Sequence, residues 1–315
     1  MTDPQPVLDL IEAFRRSKTM FAAVSLGIFD GKRPQGAALD RLLDACVALG
    51  LLERRGGEYV NTPVADEYLR RSSPQTLAGY IRYSNSALYR LWESLEDAVT
   101  EGTNRWDQTY GSRANLFDHF FSTDEIKRDF LTGMHGFGRI SSPAVAAAFD
   151  LTDFGSLVDL GGATGHLALA ALDRHPTLSV AVFDLPTVIE FAKEFVNDRV
   201  ALIPGDFFTD PLPPAGLYTL GRILHDWSEP KIIVLLGKIF AALPPGGGLL
   251  IAERLIDEDR AGPVAAHMQS LNMLICTEGR ERTFSEYQDL LLRAGFREVK
   301  YRVTGTPLDA ILALR

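Results

Sequence analysis

Cysteine is scarce: the 315 residues hold only Cys46 and Cys276, far apart and outside any CxxC or Cys/His ligand pattern. A disulfide framework and a zinc site are therefore not expected, and no metal is called for. Long apolar runs are also missing. None approaches the roughly 18 uncharged residues that a membrane span needs. The opening stretch MTDPQPVLDLIEAFRRSK carries acids where a secretory signal would carry its basic region. The expectation is a cytoplasmic protein with no membrane partner. Excess positive charge is the third absence, with 41 acids against 32 bases and a net charge of −9. Polyanion binding draws its affinity from Lys and Arg set against phosphates. The short clusters Arg15–Arg16, Arg54–Arg55 and Arg70–Arg71 read first as solvated surface. Nucleic acid is thus not an expected partner, and a small molecule is. No internal repeat and no low-complexity tract is present.

What is there is ample apolar material, 46% of the chain, enough for two domains. Residues 1–150 read as a mostly helical domain. Val7, Leu8, Ile11 and Phe14 fall at helical spacing, as do Leu39, Leu42, Leu43, Cys46 and Val47. After them ERRGGEYVNT reads as a small hairpin turning at Gly56–Gly57. Helix, helix and a two-stranded wing make a winged-helix pattern. The helix before the wing, ALDRLLDACVALG, has two acids and one base, so dimerisation is favoured over DNA reading.

Residues 151–315 alternate strand and helix. Short apolar strands are predicted at 157–160, 178–183, 200–203, 217–221 and 249–253, with helices at 164–174, 187–196 and 229–242. That is a doubly wound α/β pattern around a parallel sheet. The end differs: helices near 264–277 and 283–294 precede strands near 297–303 and 308–313. Only Gly305–Thr306–Pro307 separates the last two strands cleanly, so they must pair antiparallel, because a parallel crossover needs about a dozen residues.

Three strand ends carry acceptors or glycines. In VDLGGATGH, Gly161, Gly162 and Gly165 form a tight turn leading into a helix, a weak signal that many nucleotide binders share. Asp184, with Leu185 beside it in VFDLP, ends the second strand, where a carboxylate can accept both ribose hydroxyls. Asp206 in GDFF ends the third, where it can meet an adenine amino group, with Gly205 and Phe207 alongside. Each aspartate alone reads first as a loop cap; together they converge on the crevice where open α/β sheets bind ligands. NAD would suit the ribose acid, but the GGATG turn lacks the GxGxxG spacing a pyrophosphate favours. A cationic sulfonium also suits an acidic crevice better than a diphosphate does. The fourth strand runs into GRILHDW, setting His225 and Asp226 over the same crevice, and the fifth ends at Glu253; Glu281 lies in EGRERT. A lone histidine by an apolar strand is usually structural. Here a neutral imidazole could take a proton from an attacking hydroxyl while a carboxylate fixes its tautomer. A rival reading of Glu253 and Glu281 as paired glycosidase carboxylates leaves the nucleotide-like turns unexplained.

These segments resemble the O-methyltransferases of the plant caffeate and animal acetylserotonin type. The shared wording includes VFDLP, GDFFTDPLP, RILHDW, PPGGGLLIAE, QSLNMLICTEGRERT, LLRAGF and LDAILA, and the likeness covers nearly the whole chain. The resemblance implies a Rossmann-like methyltransferase sheet with an antiparallel C-terminal hairpin, and S-adenosylmethionine as cofactor. It implies His225 as general base, flanked by Glu253 and Glu281 with Asp226 beside it. Cofactor contacts are implied from Gly161, Gly165, Asp184, Leu185, Gly205, Asp206, Phe207, Arg222 and Phe121. Acceptor contacts are implied from Asn272, Met273, Cys276 and Met134. It further implies a homodimer whose N-terminal helices interlock, and a small aromatic hydroxyl compound as acceptor. A relative that binds the cofactor without transferring the methyl group is the alternative. Three departures from the family stand out. Cys276 replaces a substrate-holding glutamine, Ala163 replaces the middle glycine of the turn, and the segment between Asp30 and Ala38 is short.

Overall fold

The computed structural model describes residues 2–113 and 117–315. They form two compact units, Met1–Arg90 with Phe120–Gly136, and Leu91–His119 with Phe137–Arg315.

In the first unit a helix over Gln5–Ser25 gives way to a tight turn at Ile28–Asp30, bracketed by Gly27 and Gly31 in the left-handed region. A second helix, Leu39–Ala48, precedes β1 (Leu52–Arg55) and β2 (Glu58–Asn61). The two strands pair antiparallel from Leu52 opposite Asn61 to Arg55 opposite Glu58, which is the wing expected from ERRGGEYVNT. Its core is Val24, Ile28, Phe29, Leu43, Cys46 and Leu52, joined by Leu69 and Ile81. The turn Ile28–Asp30 is held by side chains that follow it in the chain: Asn61 Nδ2 donates to the Phe29 carbonyl at 2.8 Å, and Arg33 donates to the Ile28 carbonyl at 2.9 Å.

The second unit is built on a seven-stranded sheet. Its strands are β3 (Ser156–Leu160), β4 (Ser179–Asp184), β5 (Val200–Pro204), β6 (Leu217–Gly221) and β7 (Gly248–Glu253). After the two-residue strands β8 (Leu255–Ile256) and β9 (Arg282–Thr283), which pair with each other, come β10 (Arg297–Arg302) and β11 (Asp309–Leu314). The sheet order is β10-β11-β7-β6-β3-β4-β5. Strands β3 to β7 run parallel, and β11 lies antiparallel to both β7 and β10, as the short connection required.

Alternation along each strand feeds two cores. Val158, Leu160, Leu249 and Ile251 face one layer, with Ile232, Leu235, Leu236 and Ile239 from the helix Glu229–Ala242 and Tyr287, Leu290 and Leu291 from the helix Phe284–Arg293. Leu157, Val180, Val182, Leu250 and Ala252 face the other, with Leu167, Ala168 and Leu172 from the helix His166–Arg174. The outer strand β10, REVKYR, is mostly charged and exposed, which protects that edge against further strand pairing.

A boundary near residue 150 does not describe these units. Residues 91–113, 117–119 and 137–150 belong to the unit that holds the sheet. Trp92 Nε1 donates to Asn272 Oδ1 at 3.0 Å, Trp106 Nε1 donates to the Cys276 carbonyl at 2.8 Å, and Val145 and Ala146 are buried in the second core. Helical periodicity reports an apolar face, not which layer that face will join. A local difference has a backbone cause: the helix expected from residue 164 starts at His166, because Gly165 caps it with φ +73°.

Ile251 is fully buried at the centre of the sheet. Ile251→Ala is expected to destabilise this unit by about 2–5 kcal/mol, read from the shift of its denaturant unfolding transition.

Candidate active site

The C-terminal ends of β3, β4, β5, β6 and β7 share one edge of the sheet, and the predicted polar residues of this unit gather there. After β3 the chain turns through Gly161 (φ +66°), Ala163 (φ +50°) and Gly165 (φ +73°). A Cβ on Gly161 would stand 2.6 Å from Ile223 Cδ1 and 3.2 Å from Phe207, so this turn is pressed against the two that follow β5 and β6. Ala163 accepts a left-handed conformation that costs an L-residue roughly 1–2 kcal/mol. Its amide donates to Asp184 Oδ2 at 2.8 Å, and the Leu185 amide donates to Asp184 Oδ1 at 2.7 Å. Burial pushes the Asp184 carboxyl up to about 6, against the pull of those two amides. Each oxygen keeps a lone pair for an incoming hydroxyl.

Asp206 plays a more local part than the sequence suggested. Its Oδ1 accepts the Phe208 amide at 2.8 Å, and its own amide donates to Asp210 Oδ2 at 2.8 Å. One carboxylate oxygen thus caps the turn that presents Phe207. Lys238 fastens the same turn from the helix Glu229–Ala242, donating to the carbonyls of Phe207 (2.8 Å) and Phe208 (3.1 Å).

Sequence reasoning passed over Asp159. It is buried within β3, accepts Thr219 Oγ1 at 2.6 Å on Oδ1, and its Oδ2 has no hydrogen-bond partner. Burial, with the Asp184 charge adding to it, pushes its carboxyl up to about 7. The available signal was a charged residue in an otherwise apolar strand, directly before the glycine turn. A buried acceptor without a partner below the turn and a half-buried carboxylate with free lone pairs beside it form a set of acceptors. They suit a ligand bearing a diol and positive charge, as S-adenosylmethionine does.

Beyond β6, Arg222 adopts φ +58°, its amide donates to the Ala252 carbonyl at 3.0 Å, and its guanidinium lies 5.3 Å from the Phe137 ring centre. A tight turn over Leu224–Asp226 follows. Glu253 Oε1, at the end of β7, accepts the amides of Ile223 (3.0 Å), Leu224 (2.8 Å) and His225 (3.4 Å). His225 Nδ1 lies 2.7 Å from Glu281 Oε1 and 3.3 Å from Glu253 Oε2, and its Nε2 lies 3.6 Å from Asp226 Oδ1. His225, Glu253 and Glu281 are all buried. Burial works to lower the imidazole pKa, but Glu253, Glu281 and Asp226 outweigh it and hold it up to about 10. Burial raises Glu253 to about 7 and Asp226 to about 6. The nitrogen facing Glu281 is therefore the one that keeps its proton, leaving Nε2 to exchange one. His225, Glu253 and Glu281 also bring ligand atoms within 4.8 Å of one another, a spacing that a metal could use. The backbone and imidazole bonds above already engage Oε1 of each glutamate.

On the helix Val264–Cys276, Asn272 is half-buried and its Oδ1 accepts Trp92 Nε1, so its amide NH₂ faces elsewhere. Met273 and Cys276 are buried, and burial pushes the Cys276 thiol far above its usual range. Phe121 and Met134 belong to the first compact unit, where Phe121 packs 6.2 Å from the Phe130 ring.

A fold with this hairpin-edged parallel sheet and an acidic cofactor crevice defines a class, and comparison with known proteins gives the family. Residues 92–297 match the model of the O-methyltransferase domain. Acetylserotonin O-methyltransferase of Gallus gallus is 41% identical over 98% of this chain and 96% of its own length. The Homo sapiens enzyme of that name is 39% identical over 97% and 96%. The crystal structure of human N-acetylserotonin methyltransferase in complex with SAM superposes with a TM-score of 0.94 at 38% identity, covering 99% of this chain and 97% of that one. The chain belongs to the O-methyltransferase family and is an S-adenosylmethionine-dependent enzyme of the acetylserotonin O-methyltransferase type. Among the described residues no helix is long and apolar enough to cross a membrane.

Asp159 gives a pH signature. A carboxyl raised to about 7 in the folded state holds its proton where the unfolded chain, near pH 4, has lost it. Its contribution is complete below about pH 4 and lost as pH rises to about 7. Asp159→Asn should therefore gain stability relative to the parent across that interval, on the order of 2–4 kcal/mol, and the difference should flatten above it. Denaturant unfolding of both proteins at several pH values measures this.

Proposed function

We propose that this enzyme methylates a hydroxyl, phenolic in character, on a small aromatic molecule, with His225 as general base. One observation carries the reading: His225 is buried on the cofactor edge of the sheet with Nδ1 bonded to Glu281, leaving Nε2 as its exchangeable nitrogen. S-adenosylmethionine supplies an electrophilic methyl group on a sulfonium. The chain's task is to hold the acceptor oxygen in line and remove its proton as it attacks. Glu281 fixes the tautomer, and Glu253 and Asp226 stabilise the imidazolium that results. Asp184, Leu185, the turn from Gly161 to Gly165, Gly205–Phe207 and Arg222 would hold the cofactor. Asn272 would offer its amide donors to the acceptor, with Met273 and Cys276 shaping the pocket. The names of the relatives favour an aromatic acceptor. Acetylserotonin itself is not assumed, because Cys276 stands where the resemblance places a glutamine.

The same reading includes a homodimer formed through the first unit. Val7, Leu10, Ile11 and Phe14 recur at i, i+3, i+4 and i+7 on the helix Gln5–Ser25 and are all more than half exposed. Such a stripe is what an intersubunit helix contact buries. Leu10→Asp with Phe14→Asp should convert a dimer to a monomer by light scattering; an unchanged mass rejects this interface.

His225→Ala should bind S-adenosylhomocysteine as the parent does, at micromolar strength or about −8 kcal/mol, while turnover falls by about 10² to 10⁴. The acceptor panel is phenols and hydroxyindoles, and unchanged turnover sinks the base assignment. Because the imidazole is held up to about 10, its proton-accepting form grows with pH. Turnover should rise steadily from pH 6 to 9 rather than level off near neutrality.

A further inference from the structure

The turn that carries His225 is gripped on both its faces. Glu253 takes its amide hydrogens. Its carbonyls meet a second, oppositely charged buried group. Arg282 is 3% exposed, and its Nη1 donates to the Leu224 carbonyl at 3.3 Å and to the Arg280 carbonyl at 3.0 Å. Its Nη2 donates to the Trp227 carbonyl at 3.5 Å, and its guanidinium lies 5.8 Å from the Tyr287 ring centre. The backbone of Arg282 is itself fixed, paired with Leu255 two residues beyond Glu253. The next residue, Thr283, opens the helix Phe284–Arg293 in a reciprocal capping box with Glu286.

Close approach is the second, independent sign. A Cβ on Gly279 would stand 2.1 Å from the His225 carbonyl oxygen and 2.7 Å from both Asp226 C and Trp227 N. The Glu278 amide also donates to the Asp226 carbonyl at 3.3 Å. Segment 277–283 therefore does more than carry Glu281. It lies backbone against backbone on the turn, at a distance only glycine permits.

We infer that Arg282 and Gly279 are positioning residues that set His225 against Glu281. The fork of Arg282 spans the first carbonyl of the turn, Leu224, and the Trp227 carbonyl just past its end, a geometry that a lysine ammonium cannot reproduce. Gly279 sets how closely the Glu281 segment approaches. Loosening either lets the turn slide along β7 and lengthens the Nδ1–Oε1 bond, while the Asp184 side of the crevice stays as it was. The inference gives the proposed base reading its geometry and rests on that reading for its catalytic meaning. The groups facing the imidazole are Asp226 on its own turn, Glu253 on β7 and Glu281 on the packed segment, with Arg222 close to Asp226 and Tyr287 close to both glutamates.

The test uses the full chain labelled with ¹⁵N-histidine, as parent, Arg282→Lys and Gly279→Ala, with His225→Gln to assign the signals. A short charge-assisted bond at Nδ1 gives a far-downfield, slowly exchanging proton in the parent. Both variants should lose or broaden that resonance and titrate His225 at lower pH than the parent. Calorimetric affinity for S-adenosylhomocysteine should stay within about twofold. With an acceptor the parent turns over, kcat should fall about 10- to 100-fold at an unchanged cofactor KM. Retention of the parent resonance and titration in either folded variant overturns the positioning role. So does failure of Arg282→Lys to fold, since that would make Arg282 a stability residue for the whole unit. A normal loss of the resonance combined with full turnover in His225→Ala would instead reject the base reading and leave the positioning claim standing.

Discussion

The hydrogen bonds from the backbone after β6 to Glu253 Oε1 hold the catalytic edge together. A carboxylate at the end of β7 accepts three successive amides of the neighbouring crossover, and it is buried where an uncompensated charge would cost several kcal/mol. Those bonds determine where the turn starts, so they determine where His225 stands. They also turn two adjacent strands into one rigid unit at the point where the backbone takes the left-handed step at Arg222. Such a step persists only where surrounding contacts over-determine it.

The charge balance of the cluster follows from this. Asp226, Glu253 and Glu281 surround one imidazole, and Arg282 lies behind them. Three carboxylates near one cation make imidazolium the favoured resting form, and the site stores a proton rather than a vacant base. Glu253, raised to about 7, is the acid whose ionisation is most open to change near neutrality. If His225 is the base, as proposed, such an arrangement would match it to a weakly acidic hydroxyl such as a phenol, whose ordinary pKa lies in the same region. An aliphatic alcohol would hold its proton far more tightly.

Most of the sheet was legible in the sequence because its strands alternate two buried faces and end at glycines or acids. The antiparallel hairpin was legible from a connection too short to cross over. Asp184, His225 and Glu253 stood out as polar residues at or just past the ends of apolar strands, and Glu281 stood out within EGRERT. What stayed hidden depends on partners distant in the chain. Nothing local told that Trp92 and Trp106 would bond to the helix Val264–Cys276, so the expected boundary at 150 cut through a compact unit. Asp206 carried the right signal for a ligand contact, yet it spends one oxygen on its own turn. Lys238 and Arg282 carried no signal in the sequence, because a residue's grip on carbonyls 30 or 55 positions away leaves no periodic trace.

The antiparallel placement of β11 has a consequence for how the molecule is made. β7 lies between β6, which precedes it in the chain, and β11, which follows it by about sixty residues. During synthesis from the N-terminus, β7 can dock on β6 early, but its other edge has no partner until Asp309–Leu314 has been translated. The strand that presents Glu253 thus gains its second neighbour only from β11. A nascent chain halted before that segment would hold a nearly finished cofactor crevice beside an exposed apolar strand edge. Such a product invites aggregation or chaperone capture.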